Sequence, residues 1–134
     1  MANNELADLV GLSPSPCLRR VRHLEATGVI SGYSATVDRE AIGCAYEPIV
    51  WVTLTTVTRE SMLEFETEVQ GIAQVVEAAR MMGQPDYLLR IVTRDAADFE
   101  TLYIDHLARL PHVQILTSQL AMKVVKRSSE LPVR

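Results

Sequence analysis

The chain has 134 residues and a mass of 14.9 kDa, and 48% of its residues are hydrophobic, which predicts one ordinary domain or two very small ones and argues against wholesale disorder. Thirteen basic and 17 acidic residues give a net charge of −4, which excludes a protein that coats nucleic acid by bulk positive charge but allows a locally basic element. Two cysteines without metal-ligand spacing favour a reducing cytosol over a disulfide framework, and neither a signal peptide nor a membrane span is expected.

Two short helices joined by a tight turn are predicted at the N-terminus. The first covers residues 4–10, with Asn3 or Asn4 as its N-cap, and Gly11 suits the left-handed position that ends it. Ser13 can cap the second helix, whose first turn holds prolines at positions 14 and 16, where backbone N–H groups have no helical partner. This helix ends at Gly28, and residues 29–37 are predicted as a turn and a short extended segment.

The rest of the chain alternates between strands and helices. The order β-α-β-β-α-β is that of a split βαβ, or ferredoxin-like, unit with both helices on one face of a four-stranded sheet. The predicted fold class is therefore α+β, a winged helix-turn-helix segment followed by this unit. Strands are predicted at 48–57, 72–82, 87–93 and 113–125, with helices at 61–70 and from an Asp95 cap to Leu110. The predicted division is 1–38 helix-turn-helix, 39–47 connector, 48–126 ferredoxin-like domain and 127–134 tail.

The face of this sheet that carries no helix is predicted to be an association surface. It would include some of the residues from Ile49 to Val57, together with Val75, Met81, Leu88 and Val124. An apolar sheet face of that size predicts a dimer or a larger assembly.

A helix-turn-helix signature precedes the sheet. The pattern Ala7-x-x-x-Gly11-x-Ser13 lets two helices approach and turn, and a capped second helix then presents its N-terminal half to a major groove. The alternative is a solvated basic helix face, which three charges alone would favour, but the turn and the SPSP cap favour DNA. The candidate DNA contacts are Ser13, Ser15, Arg19, Arg20, Arg22 and His23.

The chain resembles the Lrp/AsnC family of transcription regulators over nearly its whole length. The resemblance is carried by residues 5–43 (ELADLVGLSPSPCLRRVRHLEATGVISGYSATVDREAIG), 82–90 (MGQPDYLLR) and 110–118 (LPHVQILTS). It implies an N-terminal helix-turn-helix and a ferredoxin-like effector domain, in dimers that often assemble to octamers, with double-stranded DNA and an amino acid bound between dimers as partners. Family members normally begin with an extra helix, so residues 1–38 correspond to a helix-turn-helix remnant that starts at the second helix.

The resemblance also implies an effector site at the turn around Gly83. Backbone N–H groups there suit a carboxylate and Asp86 suits an ammonium group, while Met82 replaces the small hydroxyl residue that is common in the family and favours a larger apolar amino acid. Without the family resemblance, the segment Gly83-Gln84-Pro85-Asp86 would be interpreted as a plain β-turn. The predicted effector contacts are Met82, Gly83, Gln84, Asp86, Tyr87, Thr117 and Ser118.

Other side chains with potential chemistry are interpreted as structural. The carboxylates of one helix (Glu60, Glu64, Glu66 and Glu68) are predicted to be a solvated face, and no cofactor, metal or catalytic cluster is expected.

Two alternatives to a DNA-binding regulator remain open. One is an effector-binding or assembly module that does not bind DNA, and the other is an enzyme on a dimeric ferredoxin-like scaffold, with His106 or Trp51 lining its pocket.

Overall fold

A computed structural model describes residues 1–127 and 131–132. They form two compact units, one from Met1 to Val37 and one that begins at Asp38. Within the predicted tail, 127–134, residues 128–130 and 133–134 lie outside the described part. None of the helices in the described part combines the length and apolar content that a membrane crossing requires.

The first unit contains helices α1 (Asn3–Leu9) and α2 (Pro14–Ala26). The N-cap of α1 is Ala2, so the predicted Asn3 or Asn4 cap is wrong. The reason lies in the side chains: Glu5 Oε2 accepts a hydrogen bond from the Ala2 N–H at 3.1 Å, while Asn3 Nδ2 donates to the carbonyl of Pro14 at 2.9 Å. Asn3 therefore ties the start of α1 to the start of α2.

The bounds of α2 are close to those predicted. Ser13 occupies the N-cap position, although its side chain makes no capping hydrogen bond, and Pro14 is the first residue; the helix ends at Ala26 with Gly28 following at φ +75°. Gly11, at φ +67°, makes the turn between the helices in the left-handed region that suits glycine. The short extended segment predicted within residues 29–37 is not a strand, since residues 31–38 pair with no strand among the described residues.

The second unit is a four-stranded sheet with two helices. The sheet order β4-β1-β3-β2, with every neighbouring pair antiparallel, confirms the ferredoxin-like fold. Asp95 caps the second helix as predicted, its carboxylate accepting from the Asp98 N–H at 2.8 Å. The elements are β1 (Ile49–Leu54), α3 (Arg59–Gln70), β2 (Val75–Arg80), β3 (Tyr87–Ile91), α4 (Ala96–Asp105), a 3₁₀ turn (Leu107–Arg109) and β4 (Val113–Gln119).

The strands are shorter than predicted because their partners end. Among the described residues, strand β4 pairs only with β1, and the first residue of β1, Ile49, lies opposite Gln119. Beyond Gln119 the described part of the chain offers no strand partner, and the predicted extension to Val125 is wrong. Strand β2 begins at Val75 and not at the predicted position 72, and the side chain of Ile72 is buried in the core before the strand begins.

Alternation along the strands separates a buried face from an open one. Val50, Val52 and Leu54 are buried beneath the helices, whereas the residues between them in β1 are only partly buried. The prediction that Val75 lies on the open face is wrong, because it pairs with the buried Ile91 and packs against the core. By register, the open face carries Ile49, Trp51, Thr53, Ala79, Leu88, Ile115 and Thr117.

Candidate functional site

Helix α2 presents most of its predicted DNA contacts on one side. Successive residues of a helix are rotated by about 100°. Cys17 is only 3% exposed and marks the inward direction. With this rotation per residue, Arg19 and Arg22 point away from the buried side, as do Ser15 and His23, whereas Arg20 lies at the side of the helix nearer to Cys17. All six candidates, including Ser13 at the N-cap, are exposed.

The three arginines of α2 form no ion pair with any residue that the structure describes. Within the described part of the chain, no carboxylate lies within ion-pair distance of Arg19, Arg20 or Arg22, whereas five other arginines form ion pairs. An exposed guanidinium without a partner retains its five N–H donors for phosphate oxygens or guanine edges. This surface therefore has the chemistry of a duplex-binding helix.

The turn between β2 and β3 is exposed at its tip and held at its base. Met82 is fully exposed, and Gly83 has φ +84°, a left-handed conformation that a side chain would strain. At the base, the N–H of Met81 donates to the carbonyl of Asp86, and the N–H of Asp86 donates to that of Val52, both at 2.8 Å. The turn is thus fixed against β1 while its tip stays open to a ligand.

Asp86 has a structural contact in addition to its predicted ligand role. Its Oδ2 accepts a hydrogen bond from the partly buried N–H of Leu54 at 2.8 Å. No second protein donor reaches Oδ1 among the residues described, so one carboxylate oxygen stays available at the turn. The predicted contact with an ammonium group remains a prediction.

The structure divides the other predicted effector contacts between the two faces of the sheet. Thr117 lies opposite Trp51 on the open face, whereas Ser118 lies opposite the buried Val50. Tyr87 is buried and directs its hydroxyl towards helix α3, away from the open face. Consecutive strand residues point to opposite sides, so Thr117 and Ser118 do not converge on one point.

Tyr87 belongs to a polar cluster that sequence reasoning missed. Its hydroxyl donates to Glu66 Oε1 at 2.7 Å, and Arg80 Nε donates to the same oxygen at 2.7 Å. The prediction that Glu66 belongs to a solvated face is therefore wrong. Its spacing with Phe65 and Val69 placed it beside the apolar stripe of α3, and that was the available signal.

The cluster shifts the acidities of its members. Burial, followed by the hydrogen bond to Glu66, raises the pKa of Tyr87 to about 12. The hydrogen bond from Tyr87, assisted by the Arg80 guanidinium, holds the pKa of Glu66 below its usual value. At neutral pH the cluster is therefore a carboxylate held by a neutral phenol and a guanidinium.

A second helix carboxylate is also engaged. Glu64 Oε2 lies 2.6 Å from His112 Nε2, and the His112 carbonyl accepts from the Thr55 N–H at 2.7 Å. These contacts join the loop before β4 to α3 and to the end of β1. Glu64 itself stays exposed, as the predicted solvated face requires, so the structure adds a partner to this carboxylate without burying it. In the described ranges, no three acidic, histidine or cysteine side chains gather as a metal site would need.

Comparison with known proteins gives consistent results for both units. Residues 47–131 match the family model described as the Lrp/AsnC ligand binding domain, and residues 1–31 match a winged helix-turn-helix DNA-binding model. The chain is 34% identical over 134 residues to the leucine-responsive regulatory protein of Escherichia coli K12, covering 100% of this chain and 82% of that one. It is 29% identical over 133 residues to the transcriptional regulator AzlB of Bacillus subtilis, covering 99% and 85%.

Two solved structures show the same likeness. A transcriptional regulator from Neisseria meningitidis in complex with L-methionine has a TM-score of 0.91 and 30% identity, covering 98% of this chain and 85% of that one. An AsnC family transcriptional regulator from Agrobacterium tumefaciens has a TM-score of 0.89 and 33% identity, covering 98% and 86%.

Proposed function

Because the chain belongs to the Lrp/AsnC family of transcription regulators, we propose that it binds duplex DNA through helix α2 and that an amino acid effector modulates that binding. The observation that carries the proposal is the exposed, outward position of Arg19 and Arg22 on α2, where no described residue forms an ion pair with either of them. The matched relatives are named as regulators, which favours regulation over catalysis for this scaffold. The proposed place of action is the cytoplasm.

A band-shift experiment with the region upstream of its own gene tests the DNA-binding proposal. Binding should be tight at low salt and should fall steeply as salt rises, because neutralised phosphates release their counterions. A scrambled duplex of equal length serves as the control for sequence preference. Absence of binding to either duplex at low salt would favour the alternative of an effector-binding module without DNA binding.

The proposed effector site is the exposed β2–β3 turn. Gly83 brings backbone close to a ligand, Met82 offers an apolar contact, and Asp86 Oδ1, which accepts no hydrogen bond from the described residues, can contact an ammonium group. Gln84 and Thr117 are proposed to complete the site with residues of a second dimer, since a fully exposed tip encloses no ligand by itself. The methionine complex of the Neisseria relative supports an amino acid as the class of effector.

Calorimetry with a panel of amino acids tests the effector proposal. The larger apolar amino acids should bind more tightly than alanine or serine, because Met82 replaces a small hydroxyl residue with an apolar side chain. The variant Met82→Ser should reverse that preference while leaving the fold unchanged, since its side chain is fully exposed. A panel in which no amino acid binds would defeat the proposal.

The proposed assembly is a dimer formed by the open sheet face, with an octamer as the larger form. Trp51, Leu88 and Ile49 supply apolar area on that face, and a second copy of the same face is the surface that matches it. Light scattering should show a dimer or larger, and Trp51→Glu should reduce the assembly size. A monomer in the wild-type chain at micromolar concentration would contradict this assembly.

A further inference from the structure

A second candidate binding site lies between helix α3 and the edge strand β2. The groove there has a volume of about 650 Å³, within the range of small-molecule sites. Its floor is apolar and its sides carry opposite charges. The lining includes Phe65, Val69, Val75, Glu66, Arg80 and Tyr87.

The strand on one side of the groove has a free edge and an irregular register. Among the described residues, strand β2 pairs only with β3, so the backbone groups on its other edge have no strand partner there. Its register shifts between Val75 and Glu77, which leaves Val76 as an extra residue that lines the groove and is 54% exposed. Bulges of this kind often occur at sheet edges and next to functional sites, where they redirect a side chain.

The ion pair between Glu66 and Arg80 in the groove retains unused hydrogen-bonding capacity. Both Tyr87 Oη and Arg80 Nε donate to the same oxygen, Glu66 Oε1, and Arg80 Nη2 pairs with it as well. In the described chain, Glu66 Oε2 accepts no hydrogen bond from protein and Arg80 Nη1 donates none. Within the described residues, the pair therefore presents one carboxylate oxygen and one guanidinium nitrogen without a protein partner, and the Tyr87 hydroxyl helps to hold the carboxylate in place.

We propose that this groove is a second small-molecule site, separate from the β2–β3 turn, and that it binds a zwitterionic α-amino acid with an apolar side chain. The ligand ammonium group contacts Glu66 Oε2, the ligand carboxylate contacts the Arg80 guanidinium, and the ligand side chain lies on Val75 and Val76.

The geometry favours this class over singly charged ligands. A ligand with only a carboxylate would leave Glu66 beside a like charge, and a ligand with only an ammonium group would face Arg80. A zwitterion meets both charges with opposite ones. The partly buried Val75 and the exposed Val76 add an apolar contact above the buried Phe65 and Val69, and the hydrogen bond from the Tyr87 hydroxyl fixes the position of the Glu66 carboxylate.

Methyl NMR on the full chain, labelled at valine and methionine methyl groups, tests the proposal with L-leucine as the probe. Val69 and Val75 report on the groove, Met82 reports on the turn, and Val50 and Val52 report on the folded core. Signals of Val69 and Val75 should shift and saturate as leucine is added. The two derivatives N-acetyl-L-leucine, which lacks the ammonium charge, and L-leucine methyl ester, which lacks the carboxylate, should each bind the groove about tenfold or more weakly.

Two substitutions assign each ligand charge to its protein partner. Glu66→Gln should weaken leucine and the methyl ester about tenfold or more but leave N-acetyl-leucine unchanged. Arg80→Gln should weaken leucine and N-acetyl-leucine and leave the ester unchanged. Glu68→Gln, which removes a carboxylate of the same helix outside the groove, should leave all three ligands unchanged.

The outcomes separate this site from the effector site at the turn. Leucine-dependent shifts at Met82 with silent Val69 and Val75 overturn the groove and leave the turn proposal standing. Shifts at Val69 and Val75 with a silent Met82 support the groove and count against the turn. Equal binding of leucine and its two derivatives, or full affinity in both substituted chains with unchanged Val50 and Val52 signals, also overturns the proposal.

Discussion

Replacing the outward arginines of α2 should change how DNA binding depends on salt. Arg19→Gln and Arg22→Gln each remove one exposed charge without disturbing an ion pair in the described chain, so the fold should be unaffected. If each guanidinium contacts one phosphate, a dimer with two α2 helices loses two phosphate contacts for each substitution. The change then acts on the electrostatic part of binding, which salt dependence measures directly.

The magnitude follows from counterion release. Each neutralised phosphate contributes about 0.9 to the slope of log affinity against log salt, so two lost contacts should lower that slope by about 1.8. Between 50 and 200 mM salt, a fourfold change, the variant should lose roughly twelvefold less affinity than the wild type does. An arginine that reads a base should instead cost about 1–3 kcal/mol at its preferred operator and relax the preference for one base pair.

Fluorescence anisotropy with a labelled operator duplex, repeated at four or five salt concentrations, provides the slopes. Arg59→Gln removes an exposed charge from α3 in the second unit and is the matched control, for which the slope should not change. Arg20→Gln tests the angular assignment and should lower the slope less than Arg19→Gln. Unchanged slope and unchanged base preference in both Arg19→Gln and Arg22→Gln would refute the assignment of α2 as the DNA-contacting surface.

Three further predictions concern the second unit. Tyr87→Phe should lower the free energy of unfolding by about 1 kcal/mol in urea denaturation, since Glu66 keeps Arg80 as a donor, and an unchanged midpoint would contradict this. Tyr87 should ionise near pH 12 in a ¹³C-tyrosine NMR titration, and ionisation near pH 10 would contradict the burial argument. The stability that the folded-state pKa adds is therefore complete below the unfolded pKa of about 10 and is lost as pH rises through 12. Asp86→Ala should cost about 1–3 kcal/mol because the Leu54 N–H loses its acceptor, whereas Asp86→Asn should cost less, and equal losses would count against the bond.

Local patterns were sufficient to predict the types of the helices and strands and their order. The prolines at 14 and 16 and the glycine at 28 mark the two ends of α2, because proline and glycine act on the backbone within a turn of their own position. The β-α-β-β-α-β order follows from the same local preferences. The DNA-contact candidates could also be predicted, since the position of Arg19 and Arg22 on the side of α2 opposite the buried Cys17 depends only on helical spacing.

Contacts between distant segments were not readable in this way. Strand β4 stops at Gln119 because β1 begins at Ile49, 70 positions earlier in the chain, and no property of residues 120–125 encodes that end. The same holds for Tyr87, which sequence reasoning assigned to the turn and which folding directs towards Glu66 on α3. Propensity and spacing act over a few residues, whereas strand register and the partners of a side chain depend on which segments pack together, so only the folded chain shows the groove between α3 and β2.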